Sequence, residues 1–537
     1  MKVEHSPTDS TVERPASMAS DEPLSKVPND DKTQSDVAAS SQEVLQTEDT
    51  RDFVTWDGPD DPENPKNWSY AYKWWVTGIV CILSLDVTFA SAAPTSALGF
   101  IARDLHVSAE TANLVTTVFL LGYVAGPPLW GPGSELLGRK QISLFAIGAY
   151  AIFNVGQARA QNFGTLLVTR FFAGVFGCAP LTNVGGIVAD MWDPVGGGHA
   201  LGVFVASVFI GPVLGPIIGG YIATSHLGWR WVFWVLLISG GACTVFGFVF
   251  LPETYAPTLL ARKARRLRKL DPVANKNMFA KGENKKWTLR ELLRSTIIRP
   301  FTMIIFEPIL LLVTLYMSLV YGIIYGLFEA YPLIFIEKRG LTIPQTGLVF
   351  IGVGIGAVLA VAVNWYFLRP YPRLLREWRG FPPPENRLPP SMIAGPVLVI
   401  GTLWLGWTGN YASIPWYVPA MGSILVGMSI ILVFISCLSY VVDAYLMYAA
   451  SAFAANTMIR SGVAAAFPLF TTQMFKGMGI NWAATLIAGF SLLLAAVPFI
   501  FYKYGPRIRS GSSFAPCTDL KIAKELAAER EKEREEV

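Results

Sequence analysis

Between Trp74 and Tyr502 the sequence is one apolar stretch after another, each about as long as a bilayer is thick. A hydrocarbon core needs about 20 apolar residues per crossing helix. Twelve stretches meet that requirement. The first six are Trp74–Ala93, Asn113–Trp130, Ile142–Ala158, Leu166–Val188, Leu201–Ala223 and Trp231–Leu251. The second six are Pro308–Leu327, Leu348–Leu368, Ile393–Gly409, Val418–Leu438, Ser451–Phe470 and Ala483–Tyr502. Prolines inside them, such as Pro212 and Pro216, would break a soluble helix but are tolerated between packed membrane helices. Of the 537 residues only 15% are charged, against about 25% in soluble domains. That deficit points to lipid contact. The expected fold is an all-α integral membrane protein of twelve transmembrane helices in two six-helix halves.

Charge placement gives the orientation. The longest interruption, residues 252–300, is strongly basic, with Arg262, Lys263, Arg265, Arg266, Arg268 and Lys269 followed by Lys285, Lys286, Arg290 and Arg294. By the positive-inside rule it is cytosolic. Arg139 and Lys140, and the Arg369–Arg379 cluster, fall on the same side, so both termini are expected in the cytosol. Residues 1–67 are rich in Ser, Thr, Asp, Glu and Pro, and read as a disordered tail. The N-terminus lacks the apolar core of a signal peptide, so insertion is expected to use the first helix. The remaining boundaries are 68–251 for the first half, 252–300 for the linker, 301–504 for the second half and 505–537 for a C-terminal tail. The five cysteines show no CxxC spacing and read as isolated thiols, without a metal site. The net charge of +4 gives no reason to expect nucleic acid.

Chemistry is concentrated in a few motifs. The fifth stretch places Gly202, Gly211, Gly215, Pro216, Gly219 and Gly220 on one helix. Small residues admit a close neighbour and proline permits a bend, a combination suited to a hinge. After the second stretch come Gly131, Glu135, Gly138, Arg139 and Lys140, with Glu135 one turn from the two cations. In the fourth, Leu166, Arg170 and Gly174 stand four residues apart. The glycine spacing matches the antiporter motif of major facilitator exporters. The loop resembles that superfamily's G-x-x-x-D-R-x-G-R-K signature, with Glu135 in place of Asp and Leu136 in place of a basic residue. Asn64–Trp68, Pro252–Pro257 and the stretch from Asp443-Ala-Tyr through Ala454-Ala455-Asn456 and Arg460-Ser461 to Phe467–Phe470 further resemble the fungal 12-helix drug:proton antiporter family, over about residues 55–505.

Ionisable residues inside the bilayer are costly and mark function. Asp86 lies twelve residues into the first helix, and Arg170 is expected at a comparable depth. Both are expected to face a central cavity as a coupled pair, with protonation of Asp86 releasing Arg170. Phe89, Tyr325, Phe328, Tyr331 and Arg460 are the candidate cavity residues. Glu307, Glu329 and Asp443 are expected at interfaces. No phosphate-binding loop is present, and His5, His106, His199 and His226 form no cluster, which disfavours ATP drive and enzyme chemistry. The resemblance implies proton-coupled efflux of small hydrophobic or amphipathic compounds, with no cofactor beyond the proton gradient. It also implies a plasma-membrane address and a monomer. A polyamine exporter and a transporter-like sensor are the alternatives.

Overall fold

A computed structural model of the chain describes residues 52–281, 283 and 297–535. Lys285, Lys286, Arg290 and Arg294 of the basic linker lie outside these. Nine helices among the described residues are long and apolar enough to cross a membrane. They are α1 (Tyr70–Asp104), α4 (Phe163–Met191), α5 (Pro194–Thr224), α6 (Arg230–Phe250), α7 (Pro308–Glu337), α8 (Ile343–Glu377), α9 (Pro389–Asn410), α10 (Tyr417–Tyr445) and α12 (Ile480–Ser510). A tenth span, α2, is the pair Ala109–Ala125 and Pro127–Leu137, bent by 44°. The Gly126-Pro127-Pro128 sequence accounts for the bend, because proline removes a helical hydrogen bond. Two less apolar helices, α3 (Arg139–Ala158) and α11 (Ala449–Met478), complete twelve. Each apolar stretch read from the sequence falls within one of these helices to within one residue.

Side-chain caps start several of them. Ser69 accepts the Tyr72 N–H ahead of α1, Asn162 accepts that of Thr165 ahead of α4, and Asp193 accepts those of Val195 and Gly196 ahead of α5. Each supplies an acceptor that the first helical turn lacks. Helix α5 then runs unbroken through Pro212 and Pro216.

The first six helices pack on one another through α1 with α5 and α6, α2 with α4, and α3 with α4 and α6. The last six do so through α7 with α11 and α12, α8 with α10, and α9 with α10 and α12. Between these groups the main seams are α2 against α11 and α5 against α8. A shift of six helices exchanges the two seams, as expected of two parallel repeats around a shared axis.

Residues 52–67 depart from the expected disordered tail. Asp52–Phe53 pairs in parallel with Met278–Phe279, and the segment lies along a linker helix, Ala256–Leu270. Lys263 of that helix contacts Asp57 at 2.6 Å and Asp61 at 3.4 Å, and Arg266 reaches Glu63 at 3.0 Å. These ion pairs replace the apolar burial that the segment's composition cannot provide. At this same end of the molecule, Arg509 is buried between Glu385 (2.9 Å) and Asp519 (2.7 Å), which ties the C-terminal helix Thr518–Glu535 to α12.

Candidate functional site

Two faces of α5 do different work. Gly211, Gly215 and Gly219 lie one turn apart and press on α1. A Cβ at Gly211 would sit 2.7 Å from the Phe89 nitrogen, and one at Gly215 would sit 2.6 Å from Ala92 Cβ. At Gly219 it would meet the Ala93 carbonyl. The backbones therefore touch, and no side chain fits between them. Gly202 and Gly220 instead face the second half, near Asn364 and Ile343 of α8. A second stripe of α5, Leu201, Phe204, Val205, Val208 and Phe209, recurs at helical spacing and lines a cavity between the halves.

That cavity has a volume of about 280 Å³. Its other walls are Leu181–Ala189 of α4, Phe434–Val442 of α10, and Ala449–Arg460 of α11. Gly131, Glu135 and Arg139 form its mouth at the linker end. Deep inside, Arg460 lies over the rings of Tyr321 (4.9 Å) and Phe434 (5.1 Å). Phe209 and Phe434 meet edge to face at 4.8 Å.

The opposite end is closed by contacts across the halves. Ser91 and Tyr325 share a hydrogen bond of 3.0 Å. Thr117 donates to the Ala465 carbonyl at 2.9 Å, and Asn113 to that of Pro468 at 2.9 Å. Glu329 accepts from Thr472 at 2.9 Å and from Asn113 at 3.3 Å, which joins α7, α11 and α2. Beyond this layer lies a second cavity of about 260 Å³, lined in part by Ser96, Pro216, Phe328 and Glu329.

At the mouth, Gly138 adopts φ +102°, a left-handed turn that lets α3 start directly after α2. Glu253, from the stretch after α6, packs on that glycine and accepts the Arg139 N–H at 2.9 Å. It also accepts the N–H groups of Thr254 and Tyr255. The Arg139 guanidinium donates to Ser134 at 2.6 Å, lies 3.5 Å from Asp190 at the end of α4, and covers the Tyr255 ring. Lys140 donates to the Phe248 carbonyl at 3.1 Å. Glu135 is exposed at the mouth. In the second half Arg387 holds Asp443 at 2.7 Å and donates across the seam to the Pro194 carbonyl. Asp190 and Glu253 were not singled out from the sequence. Glu253 lay within a stretch quoted for family likeness alone.

The expected Asp86–Arg170 pair is not formed. Asp86 is buried on the side of α1 toward Ser239 and Cys243 of α6, and does not line the cavity. Arg170 is fully buried, donating to the carbonyls of Ala90 (2.7 Å) and Val115 (3.2 Å) and to Gln157 (3.5 Å), with Phe119 under its guanidinium. It thereby clamps α1 to α4 together. Tyr150 of α3 lies within electrostatic reach of both charges. Of the five candidate cavity residues, Arg460 alone lines the central cavity. Phe89 packs in the α1–α5 contact, Tyr325 is in the closing layer, and Phe328 borders the outer cavity. Tyr331 bonds Ser423 within the second half, its ring 4.3 Å from that of Phe350.

Comparison with known proteins gives these features a family. The model of the Major Facilitator Superfamily matches residues 78–468. A citrinin biosynthesis cluster MFS transporter, mrr1, of Monascus ruber is 41% identical, covering 86% of this chain and 92% of its own. An MFS-type efflux pump, MFS2, of Trichophyton rubrum is 42% identical, covering 88% of this chain and 78% of its own. In fold, the chain resembles the proton:xylose symporter XylE bound to 6-bromo-6-deoxy-D-glucose, with a TM-score of 0.57 at 16% identity. That likeness covers 81% of this chain and 96% of the symporter. With helices built for a bilayer and a cavity between two repeats, the chain is a multi-pass membrane transporter of small molecules, not an enzyme, and it belongs to the Major Facilitator Superfamily.

Proposed function

We propose that this transporter exports small hydrophobic or amphipathic organic compounds in exchange for protons, by alternating access between its two halves. One observation carries the reading: an apolar, aromatic cavity of about 280 Å³ lies on the interface between the halves and is bounded on one side by the closing layer. A pocket of this size and lining takes a small organic molecule largely out of water. The basic linker argues that the mouth faces the cytosol, so that the cavity loads from inside. Export as the direction draws on the glycine motif of α5 and on relatives named as efflux pumps. Proton drive draws on the family resemblance. Asp86, buried in the first half, and Glu329, half-buried on the seam, have no cation partner among the described residues and are the places a proton could ride. The address is the plasma membrane and the working unit a monomer. A polyamine substrate is disfavoured, because the deep charge of the cavity is Arg460 and its one lining acid, Glu135, is at the mouth.

The test is accumulation of azoles, fungal toxins and spermidine in an exporter-deficient yeast carrying the full chain, with and without an uncoupler. Lower accumulation of an apolar compound, restored by the uncoupler, is the expected result. Efflux that ignores the uncoupler would overturn proton drive, and selective loss of spermidine would replace the substrate class.

A further inference from the structure

Two arginines deep in the helices are treated differently by the fold: Arg170 is fully buried, and Arg460 is half-buried at the wall of the central cavity. Arg170 directs its donors to two carbonyls and Gln157. Arg460 makes no hydrogen bond or ion pair among the described residues, and its Nε is buried without an acceptor. It meets only ring faces, those of Tyr321 and Phe434. A cation over two rings recovers part of what burial costs it, but rings accept none of the five N–H donors of a guanidinium. The Arg460 side chain borders the central cavity, whose remaining lining away from the mouth is apolar or aromatic except for Thr182 and Thr457.

We infer that Arg460 is the anchor for an acidic group on the substrate, so that the transported class is aromatic monoanions, carboxylic acids above all. The inference deepens the export reading and rests on it. A carboxylate entering the cavity would accept the free donors in a forked, charge-assisted pair, strengthened by the low dielectric of the site. The body of the molecule would lie against Phe204, Phe209, Phe434 and Phe453. A cation of the same shape meets a like charge with no deep carboxylate to offset it. Glu135, at the mouth, lies outside this anchor.

Binding of three matched compounds to the purified full-length protein at pH 7.5 tests it: 2-naphthoic acid, its methyl ester, and 2-naphthylmethylamine. The acid should bind about tenfold tighter than the ester, the scale of one charge-assisted bond, and the amine most weakly. Arg460→Gln should erase the preference for the acid over the ester, and Arg460→Lys should keep part of it. Equal affinities for acid and ester in the unaltered protein would overturn the inference. So would a parallel loss of both in Arg460→Gln that elutes as a folded monodisperse species. Should that variant not fold, loss of the preference in a folded Arg460→Lys overturns it. Efflux from the yeast separates the two levels: acid-selective binding without export of any compound sinks the transport reading and leaves the anchor standing.

Discussion

Two glycines of one motif should answer substitution in opposite ways. Gly215 faces α1 with Ala92 Cβ and Ala93 N at 2.6 and 2.8 Å from any added Cβ, and backbone cannot step aside. Gly215→Val should cost about 1–3 kcal/mol through overpacking and lower the melting temperature of the purified protein. At Gly220 the nearest atoms lie 3.5 Å away, an ordinary contact. Gly220→Ala should leave the melting temperature and the efflux unchanged. The sequence showed both residues as members of one small-residue pattern and could not separate them, since the difference lies in which neighbour each glycine meets. Arg460 was legible for a related reason: an arginine in a membrane helix is informative wherever its helix turns. The aromatics were not, because α1, α5, α7 and α10 are apolar around most of their circumference. Without a polar face to set their rotation, Phe89 and Tyr325 looked as suitable as Phe209 and Phe434.

Among the elements, the spans themselves were readable because a bilayer fixes their length and apolarity. Helices α3 and α11 were the weakest signals, and both carry polar residues turned inward, Asn154 and Gln157 on one, Asn456 and Ser461 on the other. The segment 52–67 was misread because its order comes from charge pairing with the linker helix, a tertiary fact that composition does not carry. Its anchors should differ in weight. Arg266 and Glu63 are both exposed, and exposed pairs contribute about 0–1 kcal/mol, so Arg266→Ala should leave hydrogen exchange of the segment unchanged. Lys263 is enclosed and holds two aspartates and the Thr55 carbonyl. Lys263→Ala should therefore raise exchange across residues 54–63. The N–H groups of Asp57 and Glu63, with Lys263 adding to them against burial, hold the Asp61 carboxyl below its ordinary 3.8. A depressed carboxyl pKa favours the docked state above the undocked value and loses that contribution as pH falls through the docked one. Docking should hold from neutral pH to about 4 and weaken below it, as read by exchange or proteolysis.

For the whole molecule, proton drive requires a carboxylate that senses the state of the two halves. A proton can drive alternation only where its binding differs between the two conformations. Asp86 sits inside the first half, against α6 and near Tyr150 of α3, and has no hydrogen-bond or ion-pair partner from the second half among the described residues. Motion of one half against the other as rigid bodies would leave its surroundings unchanged. Glu329 is on the seam itself: its acceptors hold Asn113 from the first half and Thr472 from the second, and it borders the outer cavity that would widen when this end opens. Opening would pull Asn113 away and admit water to the carboxylate, so its proton affinity must differ between the states. Glu329→Gln keeps an acceptor oxygen for Thr472 and removes the titration. That variant should still bind 2-naphthoate but lose substrate-driven proton counterflow in proteoliposomes and become insensitive to an imposed pH gradient. Asp86→Asn should retain counterflow. Coupled transport by Glu329→Gln, together with its loss in Asp86→Asn, would move the proton site back into the first half and require that half to deform internally during the cycle.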